Sequence, residues 1–402
     1  MAPVTVTNPL EQLTERELRA QRTSAKWRAF PSDVLPLWVA EQDSVLAEPI
    51  VRAVSDAIAR SDCGYVATGR DYAEALASFA VDRWGWHLDV EHTAILPDVM
   101  IGVTEMLRLL TEPGDNVVIN SPVYPPFYSF VRSMNRAIVE SPLTAEHRID
   151  LDHLSRAFAA ATIGGKRAAY LLCSPHNPTG TLHTTAELEA VAALAEEYAV
   201  RVVVDEIHAP LVYPGQAFVP YLSVRGGERA LTLMSASKGW NLAGLKSALA
   251  VAGPEAAADL ARLPEEVGHG ASHIAGIAHV AAYRDGGMWL DALIAGLDSN
   301  RRLLADLLAE HLPTVGYRVP DATYLAWLDC RALGVDDPQM TPGLVTMSVG
   351  PAAMFAERAR VGLSAGTAFG SGGNGHVRLN FATSQAILTE ALERMGRAVT
   401  PT

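Results

Sequence analysis

Apolar residues fall into two rhythms along the chain. Continuous runs at 116–120, 168–173, 202–205, 231–235 and 248–252 have the length of strands and are apolar almost throughout, as expected for strands buried on both faces. Between them, 151–161 and 185–198 carry apolar residues at helical spacing. Strands alternating with helices predict a mostly parallel sheet with helices on both faces, an α/β architecture. Upstream, helical spacing runs over 49–60 and 72–84 around a loop at Gly64-Tyr65, and a turn at Leu96-Pro-Asp leads into a helix beginning near Val99 and Met100. Beyond about residue 275 the pattern changes. A long helical stretch through Trp289, Leu293, Leu297 and Leu303 to His311 precedes short strands at 323–328 and 377–381, separated by the Gly-rich turn 366–375. The reading is a large domain over 46–280 and a smaller α+β domain made of 281–402 with the arm 1–45, whose extended apolar end, 33–43, is expected to pack against it.

Composition narrows the class. Of the 402 residues, 49% are hydrophobic and 19% charged, enough material for the core of a multidomain globular chain. The net charge of -13 argues against nucleic acid or an anionic membrane as partner, since no basic patch offsets it. Cys63, Cys173 and Cys330 lack metal-type or redox-type spacing, so neither a disulfide framework nor a metal site is expected. The first 22 residues contain no apolar leader segment, and no run reaches the roughly 20 apolar residues of a membrane helix. A cytoplasmic location follows as the expectation.

The candidate chemistry sits where apolar runs end. In an open parallel sheet, ligands bind beyond the carboxyl ends of the strands. The run at 231–235 breaks into Ser235-Ala-Ser-Lys-Gly-Trp-Asn and presents Lys238 there; 202–205 ends at Asp205, followed by His208; 168–173 leads to Asn177 in a Pro-Gly turn; 116–120 leads to Tyr124. A lone lysine after a strand is ordinarily a surface residue, but these groups together meet the needs of pyridoxal phosphate. Lys238 is the amine for its aldehyde, and Asp205 the carboxylate that keeps the ring nitrogen protonated. Asn177 and His208 can bond the ring hydroxyl, and Tyr124 can cover the ring face. For the phosphate, the Val99 and Met100 amides at a helix start, the Ser235 and Ser237 hydroxyls and Lys246 are available. Arg378, in Val377-Arg-Leu-Asn, offers a fork for the carboxylate common to amino acid substrates.

The ordered set Asn177-Pro-Thr-Gly, Asp205-Glu-Ile-His, Ser235-Ala-Ser-Lys-Gly-Trp-Asn and Val377-Arg-Leu-Asn resembles the fold-type I pyridoxal-phosphate enzymes of the class I/II aminotransferase superfamily. Lys26-Trp27, Leu35-Pro-Leu-Trp-Val-Ala, Gly64-Tyr65, Pro122-Val-Tyr-Pro-Pro-Phe and Thr323-Tyr-Leu-Ala-Trp-Leu-Asp are most similar to the cystathionine β-lyase-type C-S lyases, the MalY/PatB group. The resemblance implies a seven-stranded, mostly parallel sheet in the large domain, and a homodimer with active sites at the interface, in which Tyr65 reaches the cofactor phosphate of the neighbouring subunit. It also implies cleavage of an S-substituted cysteine to pyruvate, ammonia and a thiol. Amino transfer uses the same residues and stays open as an alternative, as does a regulatory or binding protein that retains the cofactor. One segment departs from the group: Ala40-Glu-Gln-Asp-Ser stands where it usually reads Ala-Asp-Met-Asp-Phe. Its expected place beside the substrate points to an altered specificity.

Overall fold

The computed structural model describes residues 7–338, 340–343 and 349–399; the two ends of the expected smaller domain, 1–6 and 400–402, lie outside that set. In chain order the strands are β1 (Leu35–Pro36), β2 (Thr93–Leu96), β3 (Asn116–Ile119), β4 (Ala137–Glu140), β5 (Ala168–Cys173), β6 (Arg201–Asp205), β7 (Leu231–Met234), β8 (Ala248–Ala252), β9 (Gly316–Tyr317), β10 (Leu325–Asp329), β11 (Val361–Gly362), β12 (Ser364–Ala365) and β13 (His376–Asn380).

A seven-stranded sheet in the order β2-β8-β7-β6-β5-β3-β4 forms the main layer. Its neighbours are parallel except around β8, which runs antiparallel to both β7 and β2. Strand β5 shows why it is wholly apolar. Ala169, Leu171 and Cys173 feed the core on one face, while Ala168, Tyr170 and Leu172 feed the core on the other, as period-2 alternation requires when helices cover both sides. The helix Thr185–Glu197 starts at a capping box, in which Thr184 accepts from Glu187 N and the Glu187 carboxylate takes the Thr184 N–H.

A smaller four-stranded sheet, β12-β13-β10-β9, lies later in the chain, and the arm forms a separate two-stranded sheet beside it. Strand β1 pairs with β11, and Asn380 N donates to Leu37 O. The long helical stretch is the helix Gly287–His311, and a second helix, His273–Asp285, precedes it. They break at Gly286, where a Cβ would sit 2.4 Å from Trp240 Nε1, and Trp240 instead donates to the Gly286 carbonyl over 3.0 Å. Strand β10 begins at Leu325 instead of Thr323, because Thr323 has φ of +70°, outside strand geometry. Strands β2 and β4 escape an apolar-run reading, since both are short and only partly buried. The division into 46–280 and the remainder is kept as a proposal that the two sheets support; a single apolar cluster containing Tyr72, Trp240, Leu293 and Leu379 runs between them. Among the described residues no helix is long and apolar enough to cross a membrane, and no cluster of metal-ligating side chains occurs.

Candidate active site

The carboxyl ends of β5, β6 and β7 meet β13 of the smaller sheet, and the arm passes between them. Lys238 leaves the turn after β7 half-buried, and its Nζ donates to the Ala40 carbonyl over 2.9 Å. Burial is the main cause that pulls its ammonium down to about 8, and the Arg378 cation adds to the effect. Much more of Lys238 is therefore neutral near pH 7 than of an exposed lysine.

Asp205 ends β6 and is 3% exposed. Among the described residues its carboxylate receives one hydrogen bond, from Ile207 N at 3.1 Å. Burial lifts it to about 6, against that bond and the nearby Lys238 charge, so it is ionised at neutral pH and open to a cation. Its neighbour Glu206 points the other way in the alternation, accepts from Tyr221 N and is pushed up to about 8 by burial. His208 is buried 6.2 Å, ring to ring, from Tyr324; burial drives its imidazole well below its ordinary value, so it is neutral.

Asn177 sits in the turn after β5. Its N–H reaches Cys173 Sγ, and the turn closes by Gly180 N to His176 O at 2.7 Å. Gly180 has φ of +68°, and a Cβ there would fall 2.3 Å from Pro320 and 2.6 Å from the Ala322 carbonyl, so only glycine fits. Arg378, on β13, is 5% exposed. It donates from Nη1 to Asn177 Oδ1 and from Nη2 to Trp38 O, both over 3.0 Å, with its guanidinium 5.1 Å from the Phe369 ring centre. Its Nε has no partner and no carboxylate pairs with it among the described residues, so burial lowers it to about 10. A buried cation without an anion is costly, and a substrate carboxylate would relieve that cost.

Tyr124 is half-buried, and desolvation first, then the Asp205 charge, pushes its phenol up to about 12; it stays protonated. Val99 and Met100 open the helix Val99–Leu110 as expected. The end of that helix is already capped, since Asp98 accepts from Ile101 N and pairs with Lys246 at 2.6 Å. Lys246 is thus exposed and engaged with Asp98. The Ser235 hydroxyl donates to Ser247 O at 2.7 Å and lies 3.1 Å from that of Ser237. Tyr65 stands apart from this assembly, 92% exposed.

Residue-by-residue reading missed the arm's part in the site. Trp38 O and Ala40 O accept from Arg378 and Lys238, Tyr324 also donates to Ala40 O, and Asn380 donates to Val39 O and Glu41 O. Beneath them Lys26 and Asp43 form a buried ion pair at 2.8 Å, with Trp27 Nε1 on the same carboxylate. Main-chain acceptors leave no mark in a sequence; the apolar, Pro-punctuated run into charged residues at 41 and 43 was the available signal. Within the departure at 41–44, Gln42, Asp43 and Ser44 are buried and bonded to protein groups, and Gln42 reaches the main chain of Lys238.

The residues 40–395 match the family model described as aminotransferase class I and II. The chain belongs to that family. It is 58% identical over 403 residues to a Mycobacterium tuberculosis protein named "Putative cystathionine beta-lyase", covering 98% of this chain and 99% of that one. It is 34% identical to the cystathionine beta-lyase of Corynebacterium glutamicum, covering 94% and 97%. A solved structure from Corynebacterium diphtheriae, described as a "putative plp-dependent beta-cystathionase", superposes with a TM-score of 0.87 at 34% identity, over 96% of this chain and 98% of that one. The fold is therefore the type I fold of pyridoxal-phosphate enzymes.

Proposed function

We propose that this protein is a pyridoxal-phosphate-dependent C-S β-lyase that converts an S-substituted cysteine and water to pyruvate, ammonia and a thiol. The observation that carries the reading is a lysine of lowered basicity placed between a buried carboxylate and a buried arginine that has no anionic partner among the described residues. The names of the relatives support the choice of reaction.

The residues present fit the cofactor. Lys238 supplies the amine for its aldehyde, Asp205 a buried carboxylate for its ring nitrogen, Asn177 and His208 neutral polar groups for its ring hydroxyl, and Tyr124 an aromatic face. The Val99 and Met100 amides, the Ser235 and Ser237 hydroxyls and Lys246 are the groups proposed for its phosphate. Bound there, the cofactor supplies an electrophilic carbon for the substrate amine and a conjugated ring that accepts negative charge from Cα.

The chain's own groups do the rest. Arg378 binds the substrate carboxylate and fixes which Cα bond stands across the ring plane. Lys238 would take the Cα proton on Nζ, for which a value of about 8 suits a base near neutral pH. Asp205 holds the proton on the ring nitrogen. As the C-S bond breaks with its electron pair leaving on sulfur, the Lys238 ammonium is the nearby acid that returns a proton to the thiolate. Water then hydrolyses the released enamine product to pyruvate and ammonia.

Amino transfer is the second reading, favoured by the family's description. The deciding experiment gives purified protein an S-alkylcysteine or cystathionine and assays pyruvate, thiol and 2-oxo acid. Pyruvate and thiol in equal amounts, lost in Lys238→Ala, are expected; amino transfer to 2-oxoglutarate without pyruvate overturns the lyase reading. We further propose a homodimer in which Tyr65 completes the neighbouring site.

A further inference from the structure

The segment that departs from the family's pattern grips the catalytic lysine at both ends. Gln42 Nε2 donates to the main-chain carbonyl of Lys238 over 2.7 Å, while the Ala40 carbonyl accepts from Lys238 Nζ over 2.9 Å. The main chain of Gln42 is itself fixed by Asn241, whose Oδ1 takes the Gln42 N–H and whose Nδ2 donates to the Gln42 carbonyl, each over 2.9 Å. Asn241 makes this pairing from a left-handed conformation, φ +58°, which asparagine tolerates well. We propose that Gln42 is a positioning residue for Lys238, holding the main chain of the lysine at a fixed reach from the Ala40 carbonyl on which its amine rests.

The donor and acceptor inventory supports this assignment. The carbonyls of Ala236 and Ser237, just before Lys238, are taken by Trp240 N and Leu242 N. Among the described residues the carbonyl of Lys238 receives only the Gln42 amide. A carbonyl can only accept, so the nitrogen end of Gln42 must face it. The oxygen end then meets a donor, the Ser44 hydroxyl at 3.3 Å. Gln42 and Ser44, the two polar replacements for Met and Phe, thus act as one hydrogen-bonded unit, 3% and 0% exposed. The same arm is tied to β13 by Asn380 on Val39 O and Glu41 O and by Arg378 on Trp38 O. Through Gln42 the strand that carries the carboxylate-binding arginine is therefore connected to the lysine.

This inference rests on the proposed role of Lys238. The test compares wild type with Gln42→Met, which restores the group's usual residue and removes the donor, and with Gln42→Glu, which keeps the shape but donates only while protonated. Thr184→Ala, which loses a helix cap at a residue given no part in the site, serves as the control for general destabilisation. Each protein is loaded with pyridoxal phosphate and followed by pH titration of the visible absorbance of the cofactor bound at Lys238, by thermal melting, and by kcat and KM for an S-alkylcysteine. Gln42→Met is expected to lower kcat about 10-fold with KM within about 2-fold, as a misplaced reacting group does. The midpoint of its spectral titration is expected to move by about half a pH unit or more. Gln42→Glu should lose kcat as pH rises through the ionisation of the new acid, a limb absent from wild type. Thr184→Ala should lower the melting temperature and leave the spectral midpoint in place. Wild-type kcat and midpoint in both Gln42 variants overturn the proposal. If wild type itself captures no cofactor on Lys238 after borohydride reduction, the proposed function falls first, and the role of Gln42 falls with it.

Discussion

Arg378 Nη1 donates to Asn177 Oδ1 across 3.0 Å, joining a strand of the smaller sheet to the turn that ends β5. The guanidinium is spread over a side-chain oxygen, the Trp38 carbonyl and the Phe369 ring, with Nε left over. Its plane is thus set before any substrate arrives, which is the condition for a bidentate grip on a carboxylate.

Lysine at position 378 should fail in a specific way. A single ammonium cannot serve the Trp38 carbonyl, Asn177 and a carboxylate together. Losing one charge-assisted hydrogen bond is worth about 2 kcal/mol, or roughly 30-fold. Arg378→Lys is therefore expected to raise KM for an S-alkylcysteine by about that factor while changing kcat less, as steady-state kinetics will show. An unchanged KM would remove Arg378 from substrate binding.

The basicity of Lys238 sets the pH at which the apoprotein captures pyridoxal phosphate. The amine value lies at about 8, below the ordinary 10.5, and the neutral form is the nucleophile. The capture rate should rise as pH increases through about 8 and then level off, whereas an ordinary lysine would keep gaining well above that. Asp205 adds a lower limb, because its carboxyl at about 6 is protonated in more acid solution and loses its hold on the ring nitrogen. Stopped-flow absorbance from acid to alkaline pH checks both limbs.

Much of this site could be read before any coordinates. Lys238, Asp205, Asn177 and Arg378 each follow or occupy a strand whose apolar run was long enough to recognise, and an open sheet gathers strand ends at one edge. What stayed hidden depends on main-chain acceptors. Ala40 O and Trp38 O are invisible in residue type, and the Lys26–Asp43 pair becomes evident only when the arm crosses the sheet edge. The partner of Lys246 was equally hidden: Asp98, the residue that caps the helix Val99–Leu110, lies 2.6 Å from it.

The arm's own anchor predicts a stability change. Lys26 and Asp43 are 1% and 1% exposed, and Trp27 Nε1 donates to the second carboxylate oxygen at 2.7 Å. Removing one partner leaves a buried charge, which costs about 3–5 kcal/mol. Lys26→Ala should lose that much in urea denaturation of the apoprotein. Asp43→Asn, which keeps an acceptor for Trp27, still leaves the Lys26 charge unpaired and should also destabilise the chain. A loss below about 1 kcal/mol in both would show that the arm is held by other contacts.

Tyr65 offers the sharpest test of assembly. An aromatic side chain that is 92% exposed, in a segment the family resemblance places at a subunit interface, is expected to act on the partner's site and not on its own. Tyr65→Ala and Lys238→Ala should each be impaired as homodimers. If the two are mixed, dissociated and reassociated, half of the dimers are mixed by simple statistics, and one of the two sites in each mixed dimer carries both native residues. The intact sites then amount to about a quarter of wild type, and activity should exceed the mean of the two parents. A tyrosine acting within its own subunit gives no such gain, because every site in the mixed dimer then lacks one of the two groups. Activity at the parental mean would therefore return Tyr65 to its own subunit and leave the neighbouring site complete without it.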